Sequence, residues 1–213
     1  MKKWIIAGFI LIGIPAAFYI ALKFYKPQPD LPYLGPKRID TVYEDDGSFE
    51  IVEKPYYVDN FCLLTEDSTT LCWNDLRGKV VVVDFFFTRC PGICPVLSKS
   101  MKRIQDFYAD EDDLVLVSIS VDPEYDKPSK LKAYAQKYGY IPGKWIFLTG
   151  PRDSIKKISI EGFFLPLSGD KPSDLTHSEK LVLVDREGHI RGYYIGTDKK
   201  DVDKLIQHLR TLL

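Results

Sequence analysis

The sequence predicts an α/β fold, a central sheet covered by helices, behind an N-terminal membrane segment. Two runs, residues 80–87 and 114–121, are apolar on both faces and rich in β-branched or aromatic residues, and each is followed by helical periodicity. A hairpin pattern and an amphipathic helix close the chain. The third observation is size: 213 residues, 45% hydrophobic and 13% aromatic, suffice for one core plus an appendage. That apolar content excludes a disordered chain. With 29 Lys and Arg against 30 Asp and Glu, the basic excess that nucleic-acid binding needs is missing, so no nucleic-acid partner is expected.

Residues 4–22 (WIIAGFILIGIPAAFYIAL) are nineteen positions without a charge, flanked by Lys2, Lys3, Lys23 and Lys26. At a rise of about 1.5 Å each they approach the roughly 30 Å of a bilayer's hydrocarbon. The run ends in bulky residues rather than a small-x-small cleavage site, and no Cys precedes Cys62 to carry a lipid. An uncleaved single-pass anchor is therefore expected over residues 1–25, with the N-terminus inside and the C-terminal domain on the exported side. Residues 26–36 carry four prolines in eleven positions and read as a semi-extended spacer. Without residues 1–29 the chain holds 25 bases against 30 acids, a formal charge of −5.

The chain accordingly divides into an anchor over residues 1–25, a tether and first hairpin over 26–55, and a domain over 56–213. Acidic turn residues 44–47 separate strands at 39–43 and 49–52, and residues 66–68 separate strands at 61–65 and 70–73. The central strand at 80–87 leads to a helix over about 94–109, with Val96, Leu97, Met101, Ile104 and Phe107 at helical spacing. After the strand at 114–121, Pro128 opens a helix to about 138, and 145–148 forms a third strand. Pro151 starts a helix to about 161. A hairpin at 180–184 and 190–195 turns around Arg186, Glu187 and Gly188, and residues 200–212 form the last helix. A βαβ unit, an antiparallel hairpin and a final helix is the order of a thioredoxin-like sandwich, here decorated by N-terminal β-hairpins.

Residues 86–95, FFTRCPGICP, sit where the central strand hands over to a helix. Sites in open α/β sheets form at such carboxyl ends, and a helix N-terminus favours the thiolate, so Cys90 and Cys94 are expected to ionise more easily than a free thiol. Their spacing would place the sulfurs one helical turn apart on one face. Such a pair suits a reducible disulfide or a soft metal, Cu(I) before Zn, and a copper site wants a third ligand. His177 follows a Gly/Pro/Ser/Asp loop and can swing over the pair. His189 reads as an exposed turn side chain, His208 as a surface residue of the last helix, and Met101 as core.

With the segment 120–128 (SVDPEYDKP) and His177 before LVLVDREG, residues 86–95 resemble the Sco/SenC family over residues 56–213. That resemblance implies a thioredoxin-like copper carrier for the CuA centre of cytochrome c oxidase, with Cys90, Cys94 and His177 as metal ligands. Copper would be held as Cu(I), with Cu(II) as a second state. The implied partners are the CuA-bearing oxidase subunit, a thiol-disulfide reductant and, through residues 4–22, the membrane. Thr176 stands where the family has Asp before the ligand His. Cys62 and Cys72 are additional; a hairpin centred on Asp67 sets them opposite each other, and a cross-strand disulfide in an oxidising compartment is expected, with free buried thiols as the alternative.

Two enzyme readings compete. A thiol:disulfide oxidoreductase would use Cys90 and Cys94 as a redox dithiol on exported cysteine proteins, although three residues rather than two separate them. A peroxidase is disfavoured, because Phe87 rather than Thr lies three residues before Cys90. Asp122 is expected beside the site in an otherwise structural segment.

Overall fold

The computed structural model describes residues 30–43, 48–169 and 176–213, besides Gly13, Ile14, Ala16 and Tyr19. The expected anchor at residues 4–22, the tether before residue 30, the turn at 44–47 and most of the loop before His177 lie outside the described residues. Among the described residues no helix is long and apolar enough to cross a membrane. The chain divides into two units, Met1–Asp30 and Leu31–Leu213. The second unit carries the sheet and the helices.

Its strands and helices are β1 (Arg38–Tyr43), β2 (Phe49–Lys54), β3 (Cys62–Thr65), β4 (Thr70–Cys72), β5 (Val80–Phe86), α1 (Cys94–Phe107), β6 (Leu114–Ser120), α2 (Pro128–Lys137), β7 (Trp145–Thr149), α3 (Arg152–Lys157), β8 (Leu167–Ser168), β9 (Thr176–His177), β10 (Lys180–Val184), β11 (Ile190–Ile195) and α4 (Lys199–Leu212). Seven strands form one sheet in the order β11-β10-β5-β6-β7-β3-β4. Every residue of β5 and β6 is buried, as their predominantly apolar runs require, and the two pair in parallel from Val80↔Leu114 to Phe86↔Ser120. β7 continues the parallel block, while β10 lies antiparallel to β5. α1 buries Leu97, Met101 and Ile104, whereas Val96 and Phe107, expected on the same stripe, are exposed; α4 buries Val202, Leu205, Ile206 and Leu209, the stripe that its spacing predicts. The Cys62↔Cys72 register closes the expected disulfide across β3 and β4.

Three expectations change. The second N-terminal hairpin does not merely decorate the sandwich: β3 pairs with β7 and extends the main sheet, whereas β1 and β2 form a separate ribbon. The helix expected from Pro151 to residue 161 gives way after Lys157 to a π-helical turn, Ile158–Gly162. Last, the spacer is held against the domain from Leu31 onward. Leu31 is 5% exposed, and the Arg191 guanidinium, paired with Asp185 at 2.9 Å, donates to the carbonyls of Leu31 and Pro32. Arg191 also lies 4.2 Å from the Tyr33 ring, and Leu34 N–H donates to the Ile190 carbonyl at 2.8 Å.

Below the sheet's carboxyl end a polar chain crosses the core. Trp145 Nε1–H donates to Ser118 Oγ at 2.8 Å, and Ser118 donates to Asp84 Oδ1 at 2.5 Å. Burial pushes the Asp84 carboxyl up to about 7 despite the Ser118 hydrogen bond. The folded state therefore holds a proton that the unfolded chain has released, and stability falls as pH rises between the two pKa values. From this group alone the loss between pH 5 and 7 is about 2 kcal/mol. Asp84→Asn removes that slope: urea midpoints at pH 5 and pH 7 should diverge less in the variant than in the parent, and parallel profiles would refute the assignment.

Candidate metal centre

The site forms where β5 ends. Cys90 is not on the helix. It lies in the turn before it, its N–H donating to the Phe87 carbonyl at 3.3 Å, whereas Cys94 is the first residue of α1 and Pro95 takes the second helical position. One shared helix face is therefore not what brings the sulfurs together; the turn at residues 88–93 does. Its near end is held from β6. The buried Asp126 carboxylate accepts from Thr88 N–H at 3.0 Å, from Thr88 Oγ1 and from Ser120 Oγ at 2.5 Å. Asp122, as expected, adjoins the site: it accepts from Arg89 Nε at 2.7 Å, and the guanidinium lies 4.3 Å from the Tyr125 ring.

The third group arrives from the other side. His177 is in β9, whose two residues pair with Leu167 and Ser168 of β8. The ladder is tied to the core through Leu165, which exchanges hydrogen bonds with Ser159 in the π turn, and through Phe163, fully buried against Phe61, Trp73 and Phe85. His177 thus sits in a two-residue strand pair, and the loop expected to carry it, residues 170–175, lies outside the described residues. Its ring stands edge-on to Phe87, centroids 5.7 Å apart.

Three ligand atoms, from Cys90, Cys94 and His177, lie within 4.8 Å of one another. Cys94 Sγ is 3.2 Å from His177 Nε2, and His177 Nδ1 is 3.0 Å from the Ser178 carbonyl. A carbonyl only accepts, so Nδ1 carries the proton and Nε2 presents its lone pair to the sulfurs. The Ser178 carbonyl thereby orients the ring. Burial lowers the His177 pKa, with the Ser178 bond opposing, and keeps the ring neutral as a metal ligand requires. Two thiols and a neutral imidazole, converging from two elements, are a donor set for a soft ion such as Cu(I).

Cys94 departs from expectation. It is fully buried, and burial pushes its thiol well above the ordinary range, with Cys90 and Asp84 adding to the rise and the backbone contact to Phe87 opposing. Desolvation outweighs the helix N-terminus. His189 and His208 are also less exposed than expected. His189 Nδ1 is 2.8 Å from the Tyr56 carbonyl, and His208 Nδ1 is 2.7 Å from the Tyr194 hydroxyl, so both are structural. Met101 is core. The Thr88–Asp126 contact and the β8–β9 ladder had no sequence signal beyond the polar segment 120–128.

Fold and site define a thioredoxin-like domain with a Cys-x-x-x-Cys and His centre at the end of its central strand. The chain belongs to the SCO1/SenC family, whose model matches residues 50–213. It is 31% identical over 159 residues to a SCO1 protein homolog of Bacillus subtilis, covering 73% of this chain and 82% of that one. Among solved structures it resembles BsSco, a member of the Sco family of cytochrome c oxidase assembly proteins, at 30% identity and TM-score 0.67, over 74% of this chain and 93% of that one. It also resembles ScoI of Arabidopsis thaliana with copper bound, at 25% identity and TM-score 0.63, over 73% and 99%.

The two cysteines differ in access: Cys90 is partly exposed and Cys94 is buried. In the reduced, metal-free protein, iodoacetamide at pH 8 should therefore modify Cys90 faster than Cys94, because burial both shields the Cys94 sulfur and raises its pKa. Fragment-ion mass spectrometry of the peptide holding both sites reads the ratio. Equal rates would contradict the burial of Cys94.

Proposed function

We propose that this chain is a membrane-anchored copper carrier that delivers copper to, or prepares the cysteines of, the CuA centre of cytochrome c oxidase. The observation that carries the reading is the convergence of Cys90, Cys94 and a preoriented His177 Nε2 within 4.8 Å. Copper is the cargo, held as Cu(I) by two sulfurs and one nitrogen, with Cu(II) as a second state. Both thiols lose their protons on binding, and the charge of the thiolates is then compensated by the ion inside a buried site. Copper bound in the related ScoI, and the oxidase-assembly role of BsSco, support the same reading. Residues 4–22 serve as the anchor and place the domain of residues 56–213 on the exported side. Confinement to one membrane raises the encounter rate with an oxidase subunit in that membrane.

The access difference between the thiols favours a second use of the same pair. A Cys90 thiolate attacks a target disulfide, one target thiol leaves, and Cys94 displaces the other, so the target gains two thiols and Cys90–Cys94 becomes the disulfide. An exported reductant must then restore the dithiol. That is the oxidoreductase reading, and it does not need His177.

Copper titration separates the two. The reduced protein, titrated with Cu(I) without oxygen, should bind one equivalent. His177→Ala should weaken binding by more than the roughly 10- to 100-fold that loss of an outer-shell partner costs. Cys90→Ser with Cys94→Ser should abolish stoichiometric binding. Affinity untouched by His177→Ala would refute the carrier and leave the reductase.

A further inference from the structure

The β1–β2 ribbon has two faces of opposite character. From the register Ile39↔Glu53, Thr41↔Ile51 and Tyr43↔Phe49, one face carries Ile39, Thr41, Tyr43, Phe49, Ile51 and Glu53. Four of these are large apolar or aromatic side chains, and all four stand out in water: Ile39 is 75% exposed, Tyr43 77%, Phe49 64% and Ile51 62%. The Tyr43 and Phe49 rings adjoin, centroids 6.4 Å apart. The single charge on that face, Glu53, is paired with Lys37. The opposite face carries Arg38, Asp40, Val42, Glu50, Val52 and Lys54, with Lys54 on Asp40 at 2.6 Å. A two-stranded ribbon that pairs with no other strand among the described residues is marginal in water, so an amphipathic one of this kind calls for a surface.

Its position says which surface. β10 runs antiparallel to β5 with Val184 opposite Val81, so the β10–β11 turn lies at the end of the sheet away from Cys90 and Cys94. At that pole Leu34 bridges Ile190 and Tyr57 bridges His189, and these contacts bracket the ribbon on both sides. Arg38 fixes the root, donating to the Tyr57 carbonyl at 3.2 Å and to Asp59 at 2.6 Å. The strap at Leu31, held by Arg191, leaves only residues 23–30 between the apolar run and the clamped chain. Eight extended residues span at most about 28 Å.

We propose that the apolar face of the β1–β2 ribbon, Ile39, Tyr43, Phe49 and Ile51, rests on the lipid surface of the membrane that anchors the chain. The inference rests on the anchor reading. Each strand is about 20 Å long, comparable with the reach of the linker, so the ribbon can reach the bilayer. A second copy would have to be supplied by concentration, whereas the tether gives the bilayer a high effective concentration even for a weak contact. Tyr and Phe suit the interfacial layer, and the charged face stays in water. The β10–β11 pole then faces the membrane and the metal centre points away from it. Ile39, Tyr43 and Phe49 precede the residues that the family model matches, whereas Ile51 lies within them.

The test uses the full chain in phosphatidylcholine vesicles. Trp4→Phe removes the tryptophan of the apolar run and Phe49→Trp places a reporter on the ribbon. Trp73 and Trp145 are buried and serve as internal references. The expected result is a blue shift of the reporter's emission and loss of its intensity to doxyl-labelled lipid, both abolished by Ile51→Glu with copper binding unchanged. Vesicle flotation is run alongside. Protein that floats but shows an unquenched, water-like reporter overturns the docking alone. Protein that stays at the bottom of the gradient overturns the anchor reading and the docking with it. A blue shift without lipid quenching, lost on dilution of the protein in lipid, would assign the face to a second copy and also overturn the proposal.

Discussion

The parallel pairing of β5 with β6 is the constraint on which the centre depends. Because Phe86 and Ser120 end in register, the two chains leave the sheet side by side. Two unrelated loops are thereby forced into contact, one carrying Cys90 and the other carrying Asp122 and Asp126. Val121 N–H prolongs the ladder to the Phe86 carbonyl at 2.8 Å, so the register is kept up to the residues that matter. Asp126 can then satisfy Thr88 and Ser120 together, which fixes the start of the cysteine turn without using any metal ligand. The pairing is stable because both strands are buried on both faces, where a register slip would expose unpaired backbone.

His177 depends on a different kind of restraint. Its short ladder with Leu167 has little intrinsic stability, but the chain before it is held by Phe163 and by the Ser159–Leu165 exchange. Rigidity therefore passes from the aromatic core outward to the ligand. The imidazole is oriented by its own neighbour's carbonyl, a contact that needs no acidic side chain before the histidine.

The central strands, the closing helix, the cross-strand cysteines and the donor set were legible in the sequence because each rests on a period, a spacing or a chemical type. What was not legible depends on tertiary placement. Leu31 and Tyr33 lie in a Pro-rich stretch whose composition reads as spacer, and only the position of Arg191, 160 residues later, turns it into a strap. Cys94 opens a helix, which favours a thiolate locally, yet the core closes over it and desolvation decides. The polar histidines at 189 and 208 found partners across the fold, Tyr56 and Tyr194, that no local pattern announces. In each case the local propensity was real and a long-range contact outweighed it.

The same sheet also separates two demands that conflict. A donor set at one end of the sheet has to stay accessible, while the N-terminal strap has to be clamped somewhere on the same domain. Strand polarity resolves this. Loops after parallel strands gather at one end of the sheet, whereas the β10–β11 turn, because β10 is antiparallel to β5, lies at the other. Clamping Leu31 and Leu34 beside that turn puts the strap at the pole opposite the cysteines and leaves the donor atoms clear of it. Had β10 run parallel to β5, the strap and the metal centre would compete for one end of the sheet.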